Sequence, residues 1–449
     1  MPGTTRWKAD TAWLGGDALV SDVLIETQGD TITAVGTGYD GEFDRRLTGL
    51  VFPGLVTAHS HAFHRALRGR THQAGGDFWA WRRPMYQLAG RLTPETYYDL
   101  ARAVYAEMLL SGITLVGEFH YVHHRPNGES FTDPNAMSEA VVSAAMDVGI
   151  RITLIDAAYL ASDMNGTPPL QEQTRFSDGD IESWSQRVHD MASRLGANPL
   201  ARLAVAAHSV RAVTTGDLEA IAGVASELSA PLHIHVSEQP AENEACLAAH
   251  GVTPIELLHR HRYLNENTTL IHATHTTDND RRLIAESGAG VCFCPTTEAD
   301  LGDGIGPGIE YQEAGVRLSL GSDSNATIDI LEEAKRIEQH DRLRLGRRAI
   351  HDPASLLDAA TAGGAHALGW PETGRIEAGS LADFVVLDDR SLDLAGLDLD
   401  SGVTSIVMSS TRSAVTDVVV SGEMLVTNRV GFGLPTLSDI DQAIKRVWM

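Results

Sequence analysis

Two histidines near the N-terminus have the spacing of metal ligands. His59 and His61 are two residues apart and follow the apolar run Leu50–Val56. Alternate residues of a strand point to the same face, so both imidazoles can reach one cation, although an isolated pair of this kind is more often two packing histidines. Further candidates recur at the ends of later strand-like runs: His235, Glu238, His272 and Asp323. This recurrence predicts a metal site.

Three imidazoles and one carboxylate form a ligand set suited to Zn2+, with Fe2+ or Mn2+ as alternatives because ligand type alone does not select among them. The predicted ligands are His59, His61, His235 and Asp323. No lysine occurs between Lys8 and Lys335, which excludes two ions bridged by a carboxylated lysine from the middle of the chain. A glutamate bridge between two ions stays open, and a single ion is favoured.

The same strand ends supply candidates for proton transfer. A bound divalent cation lowers the pKa of water to about 7, which provides a nucleophile at neutral pH. Glu238 follows His235 by three residues and is predicted to pass a proton to a leaving nitrogen, although a solvated loop carboxylate would have the same sequence signature. His272 and Asp323 are predicted to take the proton from the attacking water.

Other histidines and the cysteines are interpreted as structural. His233 shares the facing of His235 but lies one layer deeper, which favours a hydrogen-bonded core residue. An odd number of cysteines, three, suits reduced thiols, and Cys292 and Cys294 are interpreted as strand-packing residues because a soft-metal site would need further cysteines nearby. Four histidines outside the pattern are interpreted as solvated or structural: His123, His124, His275 and His340.

Positioning these residues requires a series of strands whose ends meet. Eight apolar runs alternate with helix-like segments such as 94–111, 139–148 and 217–229. The runs span residues 50–59, 113–120, 152–160, 203–208, 231–238, 269–272, 290–295 and 316–323. The alternation predicts an α/β fold, a (β/α)8 TIM-like barrel, whose chemistry lies at the C-terminal strand ends. A doubly wound open sheet is disfavoured because no glycine-rich phosphate turn follows the first run.

The two ends of the chain differ from its middle. Residues 12–48 and 376–428 carry short alternating runs with Gly and Asp between them. These runs predict one small β-sandwich built from both termini. The predicted division is therefore a terminal domain of residues 1–49 and 376–449 and a catalytic barrel of residues 50–375.

Composition narrows the classes of partner. A chain of 449 residues with 43% hydrophobic content can bury a large core and a smaller second one. Its formal net charge of -25 argues against nucleic-acid binding and requires that an anionic substrate be captured by arginines in a pocket. No apolar run has the length of a membrane span, and no secretory signal is visible, which predicts a cytoplasmic protein acting on a small molecule.

Two tracts resemble the amidohydrolase superfamily, in its branch of metal-dependent deaminases acting on C=N bonds: Pro53–His61 and Gly374–Phe384. More specific tracts resemble the formimidoylglutamate deiminase family: His61–Ala66, Phe78–Arg82, Glu118–His124, His208–Val213 and His235–Gln239. The resemblance implies a zinc-dependent homodimer of the histidine-degradation pathway. Its expected reaction converts N-formimino-L-glutamate and water to N-formyl-L-glutamate and ammonia.

The resemblance also implies residues that bind the two carboxylates of such a substrate: Arg82, Tyr121, His208 and Arg211. Two guanidinium groups and a phenol suit a dicarboxylate on chemical grounds alone. His64 stands where the family carries Gln, and it either donates an equivalent hydrogen bond or alters that contact. The alternatives are a deaminase or hydrolase of a nucleobase, guanidine or triazine, a hydrolase that releases formamide, and a catalytically silent binding protein. Paired arginines disfavour the first, and the complete ligand set disfavours the last.

Overall fold

The computed structural model describes residues 3–72 and 78–449, with only the backbone described for residues 78–80. Within these residues the strands form two eight-stranded sheets. The strands are β1 (Thr4–Ala12), β2 (Val20–Gln28), β3 (Thr31–Thr37), β4 (Arg45–Pro53), β5 (Leu55–Ser60), β6 (Ile113–His120), β7 (Arg151–Ala158), β8 (Ala201–Ser209), β9 (Leu232–Val236), β10 (Thr268–His272), β11 (Gly290–Phe293), β12 (Leu318–Leu320), β13 (Phe384–Leu387), β14 (Val415–Val420), β15 (Glu423–Thr427) and β16 (Val430–Gly431).

Helices cover the outside of the barrel and connect its strands. They are α1 (Phe78–Ala89), α2 (Pro94–Leu110), α3 (Ala136–Val148), α4 (Ile181–Leu195), α5 (Thr215–Leu228), α6 (Pro240–His250), α7 (Pro254–Arg260), α8 (Asp278–Ser287), α9 (Pro295–Leu301), α10 (Gly308–Glu313), α11 (Ile330–Leu345), α12 (Pro353–Asp358), α13 (Gly364–Ala367), α14 (Gly402–Ser409) and α15 (Leu437–Arg446). Shorter helical turns span Ala62–Leu67, Gln171–Phe176, Ala359–Gly363 and Arg412–Ala414. No described helix is both long and apolar enough to cross a membrane.

The predicted barrel is confirmed. Strands β5 to β12 lie side by side in chain order, and each is parallel to the next. The first and last strands meet where the Asp323 amide donates to the His59 carbonyl at 3.0 Å and the His61 amide donates to the Asp323 carbonyl at 2.9 Å. This junction places two histidines from the start of the barrel beside an aspartate from its end.

The run of residues 50–59, predicted as one barrel strand, is two strands in two different sheets. β4 continues to Pro53 in the terminal sheet, where it pairs with β1 and β13, and β5 starts at Leu55 in the barrel. Gly54 permits the transition, because a Cβ there would clash with the side chain of Thr114. Both sheets bury this segment, so its apolar pattern continues through the turn. The other seven runs match their strands to within three residues at each end.

The predicted small β domain combines strands from both terminal segments, as an eight-stranded mixed sheet of order β16-β15-β14-β13-β4-β1-β2-β3. Trp7 and Phe384 pack edge to face within its own hydrophobic cluster. A buried ion pair, Arg151 Nε to Asp383 Oδ2 at 2.6 Å, joins β7 of the barrel to the residue before β13. The domain boundaries at residues 49/50 and 375/376 stay a prediction.

Candidate active site

The four predicted metal ligands converge at the C-terminal end of the barrel. His59 belongs to β5, His61 follows it, His235 belongs to β9, and Asp323 follows β12. One ligand atom from each lies within 4.8 Å of the others, and all four residues are buried. Asp323 Oδ1 lies 3.3 Å from His59 Nε2 and 3.4 Å from His61 Nε2. The Nε2 atoms of His59 and His235 are 3.0 Å apart, so ring nitrogens and a carboxylate oxygen surround one point.

Backbone carbonyls fix the orientation of two of these imidazoles. His61 Nδ1 donates to the Phe119 carbonyl at 2.9 Å, and His235 Nδ1 donates to the His208 carbonyl at 2.9 Å. A carbonyl can only accept, so each Nδ1 carries the proton and each Nε2 presents a lone pair to the cluster. Such an outer hydrogen bond is the usual way in which proteins orient a metal-binding histidine.

The charges of the cluster also suit a cation. Burial lowers the pKa of His59, His61 and His235, which favours the neutral form that binds metals. Burial alone would raise the pKa of Asp323, but His59 and His61 lower it below its usual range. Neutral imidazoles with an ionised carboxylate form the donor set of a divalent-cation site, so the residues present fit such an ion.

The predicted proton carriers lie beside the ligand cluster. His272 Nε2 is 3.7 Å from Glu238 Oε1 and 3.9 Å from Asp323 Oδ2, and His272 Nδ1 is 3.2 Å from Glu298 Oε1. Burial alone would lower the pKa of His272, but the Glu238 charge and the Glu298 hydrogen bond raise it well above its ordinary value. Burial raises the pKa of Glu238. Each of these groups is therefore close enough to His272 to exchange a proton with it directly or through one water.

Three residues next to the cluster have left-handed backbone conformations. Their φ values are +51° at Ser237, +69° at His272 and +41° at Asp323. Non-glycine residues rarely adopt this region, and local strain of this kind is common at functional sites. The turns in which the three residues lie follow or end barrel strands, so the strain occurs where the chain positions Glu238, His272 and Asp323.

A pocket adjoins the cluster. Its lining includes each residue predicted to bind substrate: His64, Arg82, Tyr121, His208 and Arg211. The predicted proton carriers Glu238 and His272 line it as well. The sequence did not identify six further lining residues: Trp81, Met85, Tyr86, Tyr159, Phe176 and Leu301. The pocket is therefore an aromatic chamber that combines two guanidinium groups with the candidate metal centre.

The two arginines reach the pocket from different elements. Arg82 lies on α1, with Nη2 3.4 Å from the Tyr159 hydroxyl and its guanidinium carbon 5.4 Å from the centre of the Tyr86 ring. Arg211 follows β8, and its Nε lies 3.8 Å from Oε2 of the buried Glu242. Burial raises the pKa of Glu242 to about 7, so Arg211 faces a partner that is only partly ionised at neutral pH. This leaves Arg211 electrostatically suited to a second carboxylate.

Neutral hydrogen-bonding groups complete the wall between the arginines and the cluster. His64 Nε2 and the Tyr121 hydroxyl share a hydrogen bond at 3.1 Å. Burial lowers the pKa of His64 to about 3, so this ring is uncharged at neutral pH. The ring of His208 packs edge-on against Tyr121 at 5.1 Å and lies 4.7 Å from the ring of Tyr159. The polar atoms of these rings can orient a substrate without adding charge.

The structural interpretation of the other histidines agrees with the contacts. His233 is fully buried, with Nε2 2.9 Å from the Ala367 carbonyl. His123 Nε2 is 3.0 Å from the Ala157 carbonyl, and His124 Nε2 is 3.0 Å from Asp178 Oδ1.

Of the lining residues that the sequence analysis missed, Tyr159 could have been predicted from its position, whereas Phe176 could not. Tyr159 comes directly after β7, at a strand end where a functional residue is expected, so its position was a usable signal. Phe176 lies on a short helical turn with no periodic pattern. Within the tract 78–82, the side chains of residues 78–80 lie outside the described part of the structure.

Comparisons with known proteins agree on one family. The model of the amidohydrolase family matches residues 50–425. Formimidoylglutamate deiminase from Pseudomonas aeruginosa is 37% identical over 391 residues, which cover 85% of this chain and 85% of that protein. A 5-methylthioadenosine/S-adenosylhomocysteine deaminase from Natronomonas pharaonis is 30% identical over 423 residues, covering 91% and 89%. The crystal structure of an amidohydrolase from Brucella melitensis superposes with a TM-score of 0.91 at 33% identity, covering 99% of this chain and 100% of that one.

Proposed function

The chain belongs to the amidohydrolase family of metal-dependent hydrolases acting on C–N bonds, and we propose that it is the member that deiminates N-formimino-L-glutamate. The proposed products are N-formyl-L-glutamate and ammonia, in a step of histidine degradation. The observation that carries this proposal is the presence of Arg82 and Arg211 in the pocket that adjoins the four-ligand cluster. The relative that is 37% identical bears the name of this activity, which supports the same substrate.

The substrate has two carboxylates, and the pocket offers two guanidinium groups for them. Each can form charge-assisted, bidentate hydrogen bonds with a carboxylate. A chain with a formal net charge of -25 repels a dianion at long range, so local cations are needed to hold it. A neutral nucleobase or triazine gains nothing from a second arginine. This difference in charge favours the dicarboxylate over the substrates of other deaminases in the family.

His59, His61, His235 and Asp323 are the residues proposed to hold the cation, which we propose to be Zn2+. The bound ion supplies a Lewis acid that lowers the pKa of water to about 7. Asp323, together with His272 in its neutral form, would accept the proton of the water that attacks the formimino carbon. Glu238 delivers a proton to the imine nitrogen as the water adds, which gives a tetrahedral carbon with a hydroxyl and an amino group. The proton taken from the water then passes to the amino group, which leaves as ammonia, while the hydroxyl returns its proton to Glu238 and becomes the formyl carbonyl. The separations around His272 Nε2, 3.7 Å to Glu238 and 3.9 Å to Asp323, leave this transfer to one bridging water.

His64 is proposed to determine which length of substrate side chain the pocket accepts. Its ring is uncharged and bonded to Tyr121, so it offers a hydrogen bond and a bulky edge where the family carries Gln. The formimino derivatives of glutamate and aspartate differ by one methylene, which a pocket distinguishes by roughly 1–3 kcal/mol. The choice between these two substrates therefore depends on this wall of the pocket.

A panel of formimino amino acids, with ammonia and formamide both quantified, tests the proposal. We expect ammonia from N-formimino-L-glutamate at a higher kcat/KM than from the aspartate analogue, and no formamide. Guanine and a chlorinated triazine serve as competitors and should neither react nor inhibit. Formamide as the product, or preference for either competitor, would refute the proposed function. The homodimer and the cytoplasmic location stay predictions.

A further inference from the structure

The ligand cluster has a second face that carries a thiol. One ligand atom from each of His272, Cys294 and Asp323 lies within 4.8 Å of the others, and all three residues are buried. His272 ends β10, Cys294 follows β11, and Asp323 follows β12. These three strands are neighbours in the barrel, so their ends bring an imidazole, a thiol and a carboxylate together.

Asp323 divides its two oxygens between the two faces. Oδ1 lies 3.3 Å and 3.4 Å from the Nε2 atoms of His59 and His61, whereas Oδ2 lies 3.9 Å from His272 Nε2. A carboxylate has lone pairs on both oxygens and can bind a different cation through each. We call His59, His61, His235 and Asp323 Oδ1 the three-histidine face, and His272, Cys294 and Asp323 Oδ2 the thiol face. A cation bound at the three-histidine face therefore leaves Oδ2 available to a second cation at the thiol face.

Glu298 already holds the thiol face in the arrangement of a metal site. Its Oε1 lies 3.2 Å from His272 Nδ1 and accepts from the Cys294 amide at 2.9 Å. A carboxylate on the far nitrogen of a histidine is the usual outer contact of a metal-binding imidazole, and it leaves Nε2 directed at the ion. Glu238 Oε1, 3.7 Å from that Nε2, is close enough to complete the coordination.

We propose that His272, Cys294 and Asp323 form a second, inhibitory position for a thiol-binding divalent cation, such as Cd2+ or excess Zn2+. Thiolate and imidazole ligands favour these ions over Mg2+ and Ca2+. Binding exchanges the thiol proton of Cys294, and the Nε2 proton of His272 where that ring is charged, for the cation, and these protons leave to solvent. The binding is independent of the substrate. The inhibition rests on the proposed function, because the cation occupies His272 and Glu238, the groups that move protons there.

Cadmium titration of the zinc-loaded protein tests both the binding of the second cation and the inhibition that it causes. Sulfur-to-cadmium charge-transfer absorption reports binding at Cys294, and metal analysis of the desalted protein reports bound cadmium and retained zinc. No ligand of the three-histidine face contains sulfur, so cadmium that merely replaces zinc there gives no band. We expect a second metal equivalent per chain, a band that grows with it, and loss of ammonia release in step with the band.

The three cysteines of the chain provide matched variants. Cys294→Ser should lose the band, and its rate should no longer fall when cadmium is added, whereas Cys292→Ser should behave as the parent protein. If Cys294→Ser does not fold, combined Cys246→Ser and Cys292→Ser leaves Cys294 as the only thiol and should retain the whole band. A missing band in the parent protein, or a band that persists in Cys294→Ser, would overturn the site. A full band without loss of ammonia release would overturn the inhibition and the proposed proton transfer through His272, but not the binding.

Discussion

Replacing Arg211 by Met removes one of the two guanidinium groups from the pocket. Its Nε lies 3.8 Å from Glu242, beyond direct hydrogen-bond length, so its N–H groups are available to a substrate carboxylate. A hydrogen bond to a charged group contributes about 1.5–3 kcal/mol. At 1.36 kcal/mol per factor of ten, this corresponds to a rise in KM of roughly tenfold to 150-fold, with a much smaller fall in kcat because Arg211 does not contact the reacting carbon.

The assay is steady-state ammonia release from N-formimino-L-glutamate and from its two mono-amides, each of which lacks one carboxylate. If Arg211 binds a carboxylate, the penalty of Arg211→Met should appear with the diacid and nearly vanish with one of the mono-amides. Arg83→Met is the control, because Arg83 is an exposed arginine next to Arg82 on α1. An unchanged KM in Arg211→Met, or an equal penalty with all three substrates, would refute the carboxylate clamp.

Removal of Arg211 should cost little stability at slightly acidic pH. Burial raises the pKa of Glu242 to about 7, so the carboxyl left without its partner takes up a proton. Arg211 favours the ionised form of Glu242, so its removal raises this pKa further, and the variant becomes less stable than the parent only where the parent's Glu242 is ionised, above about pH 7. Urea unfolding of Arg211→Met should therefore match the parent protein near pH 6 and show a deficit at pH 8. This measurement separates lost binding from lost folding.

Three further changes give distinct outcomes. Glu238→Gln should lower kcat by about 10²–10⁴-fold while metal analysis shows the ion retained, and unchanged turnover would remove Glu238 from proton transfer. Gly321→Ala should lower metal occupancy, because its Cβ would meet the neighbouring ligand His59 at 2.8 Å. The helical Gly223→Ala, whose Cβ meets open space, should leave occupancy unchanged. Arg187→Met breaks buried pairs with Asp156 (Nη1 to Oδ2 2.6 Å) and Asp178 (Nε to Oδ1 2.9 Å) and should lower the unfolding free energy by about 3–5 kcal/mol or more at neutral pH. Arg187 lowers the pKa of Asp178 against the effect of burial. The loss of unfolding free energy should therefore shrink as the pH falls below the unfolded pKa of about 3.9. A loss that stays constant below that pH would show that it does not come from the ion pair.

The barrel and the convergence of the candidate metal ligands were predictable because their signals are local. Each ligand lies at the end of an apolar run, and a parallel barrel gathers such ends at one mouth. The division at Gly54 was not predictable, because β4 and β5 are both buried and their apolar patterns join without a break. Periodicity reports burial, whereas it does not report which sheet a strand enters.

The outer contacts of the site were less visible in the sequence. Glu298 lies 3.2 Å from His272 Nδ1, and Glu242 lies 3.8 Å from Arg211 Nε. Each pair combines residues from different βα connections, so their proximity depends on how the loops fold over the barrel. The pairing of Cys294 with His272 and Asp323 has the same origin. The sequence interpretation considered only further cysteines as its partners, although an imidazole and a carboxylate supply them.

The central claim is that three imidazoles and Asp323 hold the cation on which the reaction depends. The most direct test removes the metal from the purified protein with a chelator, measures ammonia release from N-formimino-L-glutamate, and repeats the assay after stoichiometric Zn2+ is restored. The account predicts that ammonia release is lost with the metal and returns with one equivalent per chain. Full activity in protein that metal analysis shows to be metal-free would contradict it.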